Sequence, residues 1–373
     1  MHSDDFSPAL CSGGQVLARR QGPLGLITLH RAAALNALSL GMVRDLTTVL
    51  LQWRADPAVK AVLVQGAGRE GKPPAFCAGG DIRFFHQAAL AGDPRLEDFF
   101  TEEYALNHLI HGYPKPYIAL MDGVCMGGGM GISQGASLRV VTELSKLAMP
   151  ETHIGLFPDV GGGWFLARCP GHVGEYLALS GEVLGAADAI AFGLADVQLP
   201  SAVLPSVVEA LGDGSSTTGA QLEAAVRARA QDAGAVRLAA LQAQIDLHFS
   251  RATLGEILAS LAADDSDWAR HTLGVLNKRS PLMMAVALEQ VRRARHMSLA
   301  DDLRMERDLV RHCFHLRPGT ASETVEGIRA LVIDKDHQPR WNPARVEDVT
   351  PDQVAAFFDS PWPAVVHPLR ALD

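Results

Sequence analysis

The sequence predicts an α/β fold with a helical C-terminal region. Three observations predict it. Short apolar runs of strand type alternate with helical periodicity through residues 1–210. Glycine-rich turns stand where strand passes to helix. From about residue 220 to 331 the pattern is almost wholly helical.

Val16-Leu17-Ala18-Arg19 and Gly25-Leu26-Ile27-Thr28-Leu29-His30 read as strands joined by the turn Gln21-Gly22-Pro23. Ser39 then caps a helix through about Trp53, because Leu40, Met42, Val43, Leu46, Val49, Leu50 and Trp53 recur at helical spacing. Ala61 to Gly66 reads as a buried strand, and Lys72 to Asp81 as a loop. A helix is expected over Glu102–His111 and a strand over Pro116–Leu120. A glycine cluster follows, then a helix over about 128–136 and strands at Leu138–Val141 and Lys146–Ala148. The small, polar stretch Gly212 to Gly219 is the expected linker. It divides the chain into a catalytic core, 1–210, and a helical region, 211–373, with Ser280-Pro281 as a break.

The composition narrows the function. The net charge of -9 argues against a nucleic-acid surface. Five cysteines, none in a CxxC pair, argue against a disulfide framework or a zinc site. Met1 to Ser7 carries two Asp and no basic run, so neither a signal nor a transit peptide is expected. The chain lacks an apolar run of about 18 residues, so no membrane span is expected. These readings place the protein in a reducing compartment, the cytoplasm.

Three glycine-rich loops concentrate the chemistry: Phe76-Cys77-Ala78-Gly79-Gly80-Asp81, Met126 to Gly131, and Pro158 to Gly163. Glycine lets backbone N–H groups approach a ligand, and two such loops at strand-to-helix junctions can aim two donors at one oxygen. Close packing of helix on sheet explains such clusters equally well. None matches a nucleotide P-loop, and no acidic ribose partner supports a dinucleotide fingerprint. Glu151 and Asp159 stand among apolar, proline-marked residues, where burial raises a carboxyl pKa and suits base or nucleophile work. Both also read as helix caps or loop acids. No GxSxG elbow supports a serine triad, and Cys77 and Cys125 lack a basic partner nearby in sequence.

Taken together, Asn36-Ala37-Leu38, Phe76 to Ile82, Lys115-Pro116-Tyr117-Ile118-Ala119, Gly127-Gly128-Gly129 and Pro150-Glu151 resemble the enoyl-CoA hydratase/isomerase (crotonase) superfamily. The likeness spans roughly 15–210 in order and spacing. Met149 to Gly163, Glu102 to Asn107, Asn277 to Pro281, and Glu326 to Asp336 with Pro339 and Trp341 are similar to its 3-hydroxyisobutyryl-CoA hydrolase branch. The resemblance implies a crotonase-like spiral of ββα units and hydrolysis of a short-chain 3-hydroxyacyl-CoA thioester. It implies backbone N–H groups of Ala78 and Gly128 as the oxyanion hole, and Glu151 as nucleophile or as base for water. It also implies Asp159 orienting the substrate hydroxyl or the attacking water, Glu103 in the same pocket, and Gly79, Gly80 and Asp81 against coenzyme A. Coenzyme A enters as part of the substrate, and no metal or other cofactor is expected. Members assemble as trimers or larger, so a homo-oligomer is open for this chain. The family's hydratases carry a second Glu where this chain has Gly131. Dienoyl-CoA isomerases share a Glu and an Asp eight apart but lack the Ile333-Asp334-Lys335-Asp336 segment. A catalytically silent acyl-CoA binder is the third alternative.

Overall fold

The computed structural model describes residues 11–216 and 218–373. Met1 to Ser7 and Thr217 of the expected linker lie outside the described residues. The chain resolves into two interleaved units. The first comprises residues 1–80, 105–147 and 183–237; the second comprises 81–104, 148–182 and 238–373. The expected cut at 210 is therefore corrected.

In the first unit nine strands form two sheets. They are β1 (Val16–Gln21), β2 (Leu24–Leu29), β3 (Ala61–Gly66), β4 (Ala75–Cys77), β5 (Tyr117–Met121), β6 (Val124–Met126), β7 (Leu138–Val141), β8 (Lys146–Ala148, its last residue grouped with the second unit) and β9 (Val197–Gln198). One sheet has the order β1-β2-β3-β5-β7-β9, and the other β4-β6-β8. Only β1 and β2 pair antiparallel in the larger sheet; the neighbours from β2 to β9 are parallel. Each of the pairs β3/β4, β5/β6 and β7/β8 thus divides between the two sheets, and helical chain follows each pair. That is the repeated ββα unit.

Side chains alternate across a strand, so Leu24, Leu26, Ala61, Leu63, Ile118, Leu120, Leu138 and Val140 share one face of the larger sheet. The helices Leu204–Leu211 and Gly219–Arg227 cover that face with Leu204, Val207, Val208, Leu211, Leu222 and Val226. This is why the chain beyond 210 still belongs to the sheet: without it the strands' apolar face meets water.

The second unit is helical. Ser280 and Pro281 fall at the break between the helices Asp267–Leu276 and Pro281–Ala294, and they begin the second. Ser280 Oγ caps Met283 N–H at 3.2 Å and Pro281 takes the first position, where its missing N–H costs nothing. The helix Pro281–Ala294 is buried along most of its length and packs on the helices Val173–Ser180 and Gly162–Leu166. A second cluster joins Phe85, Phe99, Phe100, Tyr104 and Phe314. Phe85 lies 4.8 Å from Phe99 and 4.9 Å from Phe100, and Phe100 lies 5.7 Å from Phe314, ring to ring. These contacts lock the helix Arg95–His111 at its N-terminal half. No helix of the described residues is long and apolar enough to cross a membrane.

Candidate active site

Three buried carboxyls gather in the second unit. Glu103 sits on the helix Arg95–His111, Glu151 opens the 3-10 turn Glu151–Ile154, and Asp159 stands on the loop that follows. They are 2, 6 and 6 % exposed. Burial pushes all three upward, because a low-dielectric surrounding penalises the charged form. Asp159 adds repulsion on both Glu103 and Glu151, and Glu103 adds more on Glu151, so both glutamates rise well above the carboxylate range. Burial lifts Asp159 to about 7, and a hydrogen bond from Tyr104 restrains that rise. Tyr104 Oη donates to Asp159 Oδ2 at 2.9 Å. By contrast, Glu151 Oε2 and Glu103 Oε1 are buried with no hydrogen-bond partner among the described residues. Structural carboxyls are rarely left so. Bare oxygens on strongly shifted acids are what a group waiting for substrate presents.

The third glycine-rich loop has a different occupation. Glu306 Oε2 accepts from Gly161 N–H at 2.7 Å, and its Oε1 accepts from Gly163 N–H at 3.0 Å. Asp302 Oδ2 accepts from Trp164 N–H at 2.9 Å. Gln290 Nε2 donates to Glu306 Oε1 at 3.0 Å and to the Pro158 carbonyl at 2.7 Å, so it clamps the chain on the other side of Asp159. The N–H groups of Gly161 and Gly163 are therefore engaged by Glu306 and that of Gly162 by the Asp159 carbonyl, and the loop is a mount for Asp159. Burial, then the neighbouring Asp302, push Glu306 well up, whereas burial lifts Asp302 to about 7. Sequence reasoning did not single out Tyr104, Gln290, Asp302 or Glu306. A signal existed for the last two: on the helix Leu299–His315 they stand four apart on the stripe shared by Leu303, Val310 and Phe314.

The first two glycine loops lie side by side in the first unit. An added Cβ on Gly79 would sit 3.8 Å from Gly128 N, and one on Gly129 would strike the Cys77 carbonyl at 2.3 Å. Only glycine permits the approach at position 129, and at position 79 a φ of +109° favours glycine. Gly128 opens the helix Gly128–Gln134, so its N–H has no partner within the helix. The role expected of Ala78 is corrected here. Its N–H already donates to the Leu35 carbonyl at 3.0 Å. Gly80 offers the next donor. The Gly79 carbonyl accepts from Leu38 N–H at 2.8 Å, and a trans peptide sends the Gly80 N–H the opposite way. Asp81 has local work, because its side chain caps the helix Ile82–Ala91 by accepting from Phe84 N–H at 3.2 Å.

Comparison with known proteins supplies the frame for this geometry. The family model described as enoyl-CoA hydratase/isomerase matches residues 24–358. The chain belongs to the enoyl-CoA hydratase/isomerase family. Among curated members, 3-hydroxyisobutyryl-CoA hydrolase, mitochondrial, of Xenopus tropicalis is 41 % identical over 93 % of this chain and 89 % of its own length. The protein of the same name from Rattus norvegicus is 40 % identical over the same shares. The solved structure titled as a carnitinyl-CoA dehydratase from Mycobacterium thermoresistibile superposes with a TM-score of 0.85 at 37 % identity. The match covers 97 % of this chain and all of that one. Family membership accounts for the alternating strand pairs and for the C-terminal helices in a single match. It also overturns the expected cytoplasmic location: both vertebrate relatives, and others of the same name, are mitochondrial by name.

Proposed function

We propose that this chain hydrolyses 3-hydroxyisobutyryl-CoA to 3-hydroxyisobutyrate and coenzyme A, a reaction of valine breakdown. The observation that carries the reading is the trio Glu103, Glu151 and Asp159, with the reactive carboxyl oxygen of Glu151 left bare. The names of the similar proteins favour the same thioester.

Glu151 releases its proton and attacks the thioester carbonyl carbon; the released proton is the one that the leaving thiolate takes up. The carbonyl oxygen gains negative charge, which preorganised backbone N–H donors stabilise. Loss of one such donor typically costs about 3–4 kcal/mol of transition-state stabilisation. The tetrahedral intermediate collapses by expelling the coenzyme A thiolate, which takes up a proton. A water molecule then cleaves the mixed anhydride, which releases the hydroxy acid and restores Glu151. Asp159, poised near neutrality, exchanges protons with the attacking water and holds the substrate's 3-hydroxyl. Direct attack leaves an anhydride on Glu151, whereas base catalysis does not. Label that enters Glu151 over repeated turnover in ¹⁸O-water supports the anhydride; borohydride added during turnover that leaves Glu151 unreduced removes it. No metal or redox group enters these steps, so activity is expected to survive EDTA.

The dehydratase title of the similar structure invites a hydration reading. A buried glycine, Gly131, stands where the family's hydratases place a second acid, which disfavours it. Thiol release from a panel of acyl-CoAs, with and without a 3-hydroxyl, decides between them. Rapid release confined to short 3-hydroxyacyl-CoAs is expected. Water addition to an enoyl-CoA without thiol release would overturn the proposal.

A further inference from the structure

A cleft of about 590 Å³ opens in the second unit, and its chemistry plays no part in the steps above. Ligand pockets commonly run from about 300 to 1,000 Å³, so this one is of ligand size. Its lining brings together Lys278, Arg279, His153 and His337, and contains no carboxylate. Two of the walls are rigidly placed. Arg279 Nε and Nη2 both donate to the Ser180 carbonyl, at 3.2 and 2.7 Å, which fixes the guanidinium and leaves Nη1 over. Trp341 Nε1 donates to the Lys278 carbonyl at 3.4 Å, which holds the indole ring in the wall. Val275, Leu331 and Pro339 complete an apolar flank. Among the described residues no acid pairs with Lys278 Nζ or with either imidazole. The excess positive field is felt inside the cleft: burial first, then Arg279, His337 and Lys278, make His153 harder to protonate.

We propose that this cleft binds a phosphate-bearing organic anion with a planar ring, of about mononucleotide size. A guanidinium edge and an ammonium suit phosphate oxygens, and the indole and its apolar neighbours suit a ring. The cleft adjoins the 3-10 segment that carries Glu151, since His153 of that segment lines it. The proposal does not rest on the thioester reading.

Equilibrium titration of the full chain with AMP, inorganic phosphate and adenosine tests it. AMP is expected to bind, inorganic phosphate more weakly, and adenosine not at all. Lys278→Glu, at an exposed position, and independently His337→Glu, are each expected to weaken AMP about tenfold or more through charge reversal. Failure of AMP to bind up to about 5 mM would overturn the site, that being an affinity too weak for a formed pocket. So would equal binding of adenosine and AMP, or variants that bind as the natural protein does. The same variants distinguish the source of the phosphate. A rise in KM for acyl-CoA matching the loss of AMP affinity, with AMP competitive, assigns the cleft to the substrate's own phosphates. An unchanged KM with AMP non-competitive assigns it to a separate phosphorylated metabolite.

Discussion

At the scale of the residue, the buried acids separate into the proposed reactive trio and the pair Asp302 and Glu306, which hold backbone N–H groups. Glu151→Gln removes the attacking group and is expected to lower kcat by at least about 100-fold while KM stays close to its natural value. A near-normal kcat would remove Glu151 from the mechanism. Tyr104→Phe takes away the hydrogen bond that favours ionised Asp159. The limb of the pH–rate profile set by Asp159 is therefore expected to move to higher pH; an unmoved limb would show that Tyr104 does not tune it. Stability has the opposite interest in these groups. Asp159 and Asp302 sit near 7 in the folded chain, above the unfolded carboxyl value of about 3.9. Between those values the folded state binds more protons than the unfolded one, so stability falls as pH rises through that window. Asp159→Asn is thus expected to flatten this fall and to raise Tm at pH 8 while it lowers turnover. A Tm that drops instead would mean the carboxyl is held by attractions stronger than its burial cost.

At the scale of the element, one loop and one helix carry the site. Glu306 accepts two N–H groups of the 158–163 loop and the Gln290 amide. Glu306→Ala leaves these buried donors unpaired, which costs about 1–3 kcal/mol for the first of them and more for the set. A fall in the urea midpoint at constant slope is the expected reading, with Glu306→Gln, which keeps one acceptor oxygen, falling less. The helix Arg95–His111 places Glu103 and Tyr104 through its aromatic anchors. Phe100→Ala empties a site surrounded by Phe85, Phe99, Tyr104 and Phe314 and is expected to cost about 3–5 kcal/mol in thermal or chemical denaturation. The helical spacing of 40–53, with Ser39 as cap, was readable because both signals are local. The strands β4 and β6 were not, being three residues each and made by long-range pairing, β4 on β6 and β6 on β8. Ser280-Pro281 signals a break, and the buried stripe that follows decides that a helix starts there.

At the scale of the whole molecule, the two units interleave along the chain. Cutting at 210 would strip the first unit of residues 211–237 and leave the second with only 81–104 and 148–182. The fragment 1–210 is therefore expected to lack cooperative unfolding by circular dichroism and to be cleaved readily by protease. A sharp transition in that fragment would show that the sheet tolerates the loss of its covering helix Gly219–Arg227. The sequence by itself determined what is local or carried by residue type. It specified the alternation of strand and helix, the acids at 103, 151 and 159, the glycines at 79, 80 and 128, and the family resemblance. Only the tertiary structure decided that Ala78 N–H is occupied by Leu35 and that Gly163 faces Glu306 across 143 residues of chain. It also decided that the helices beyond 210 cover the sheet. The reason is physical: a propensity or a cap is satisfied within a few residues, whereas the partner of a buried N–H or an apolar face is chosen by whatever the folded chain brings there.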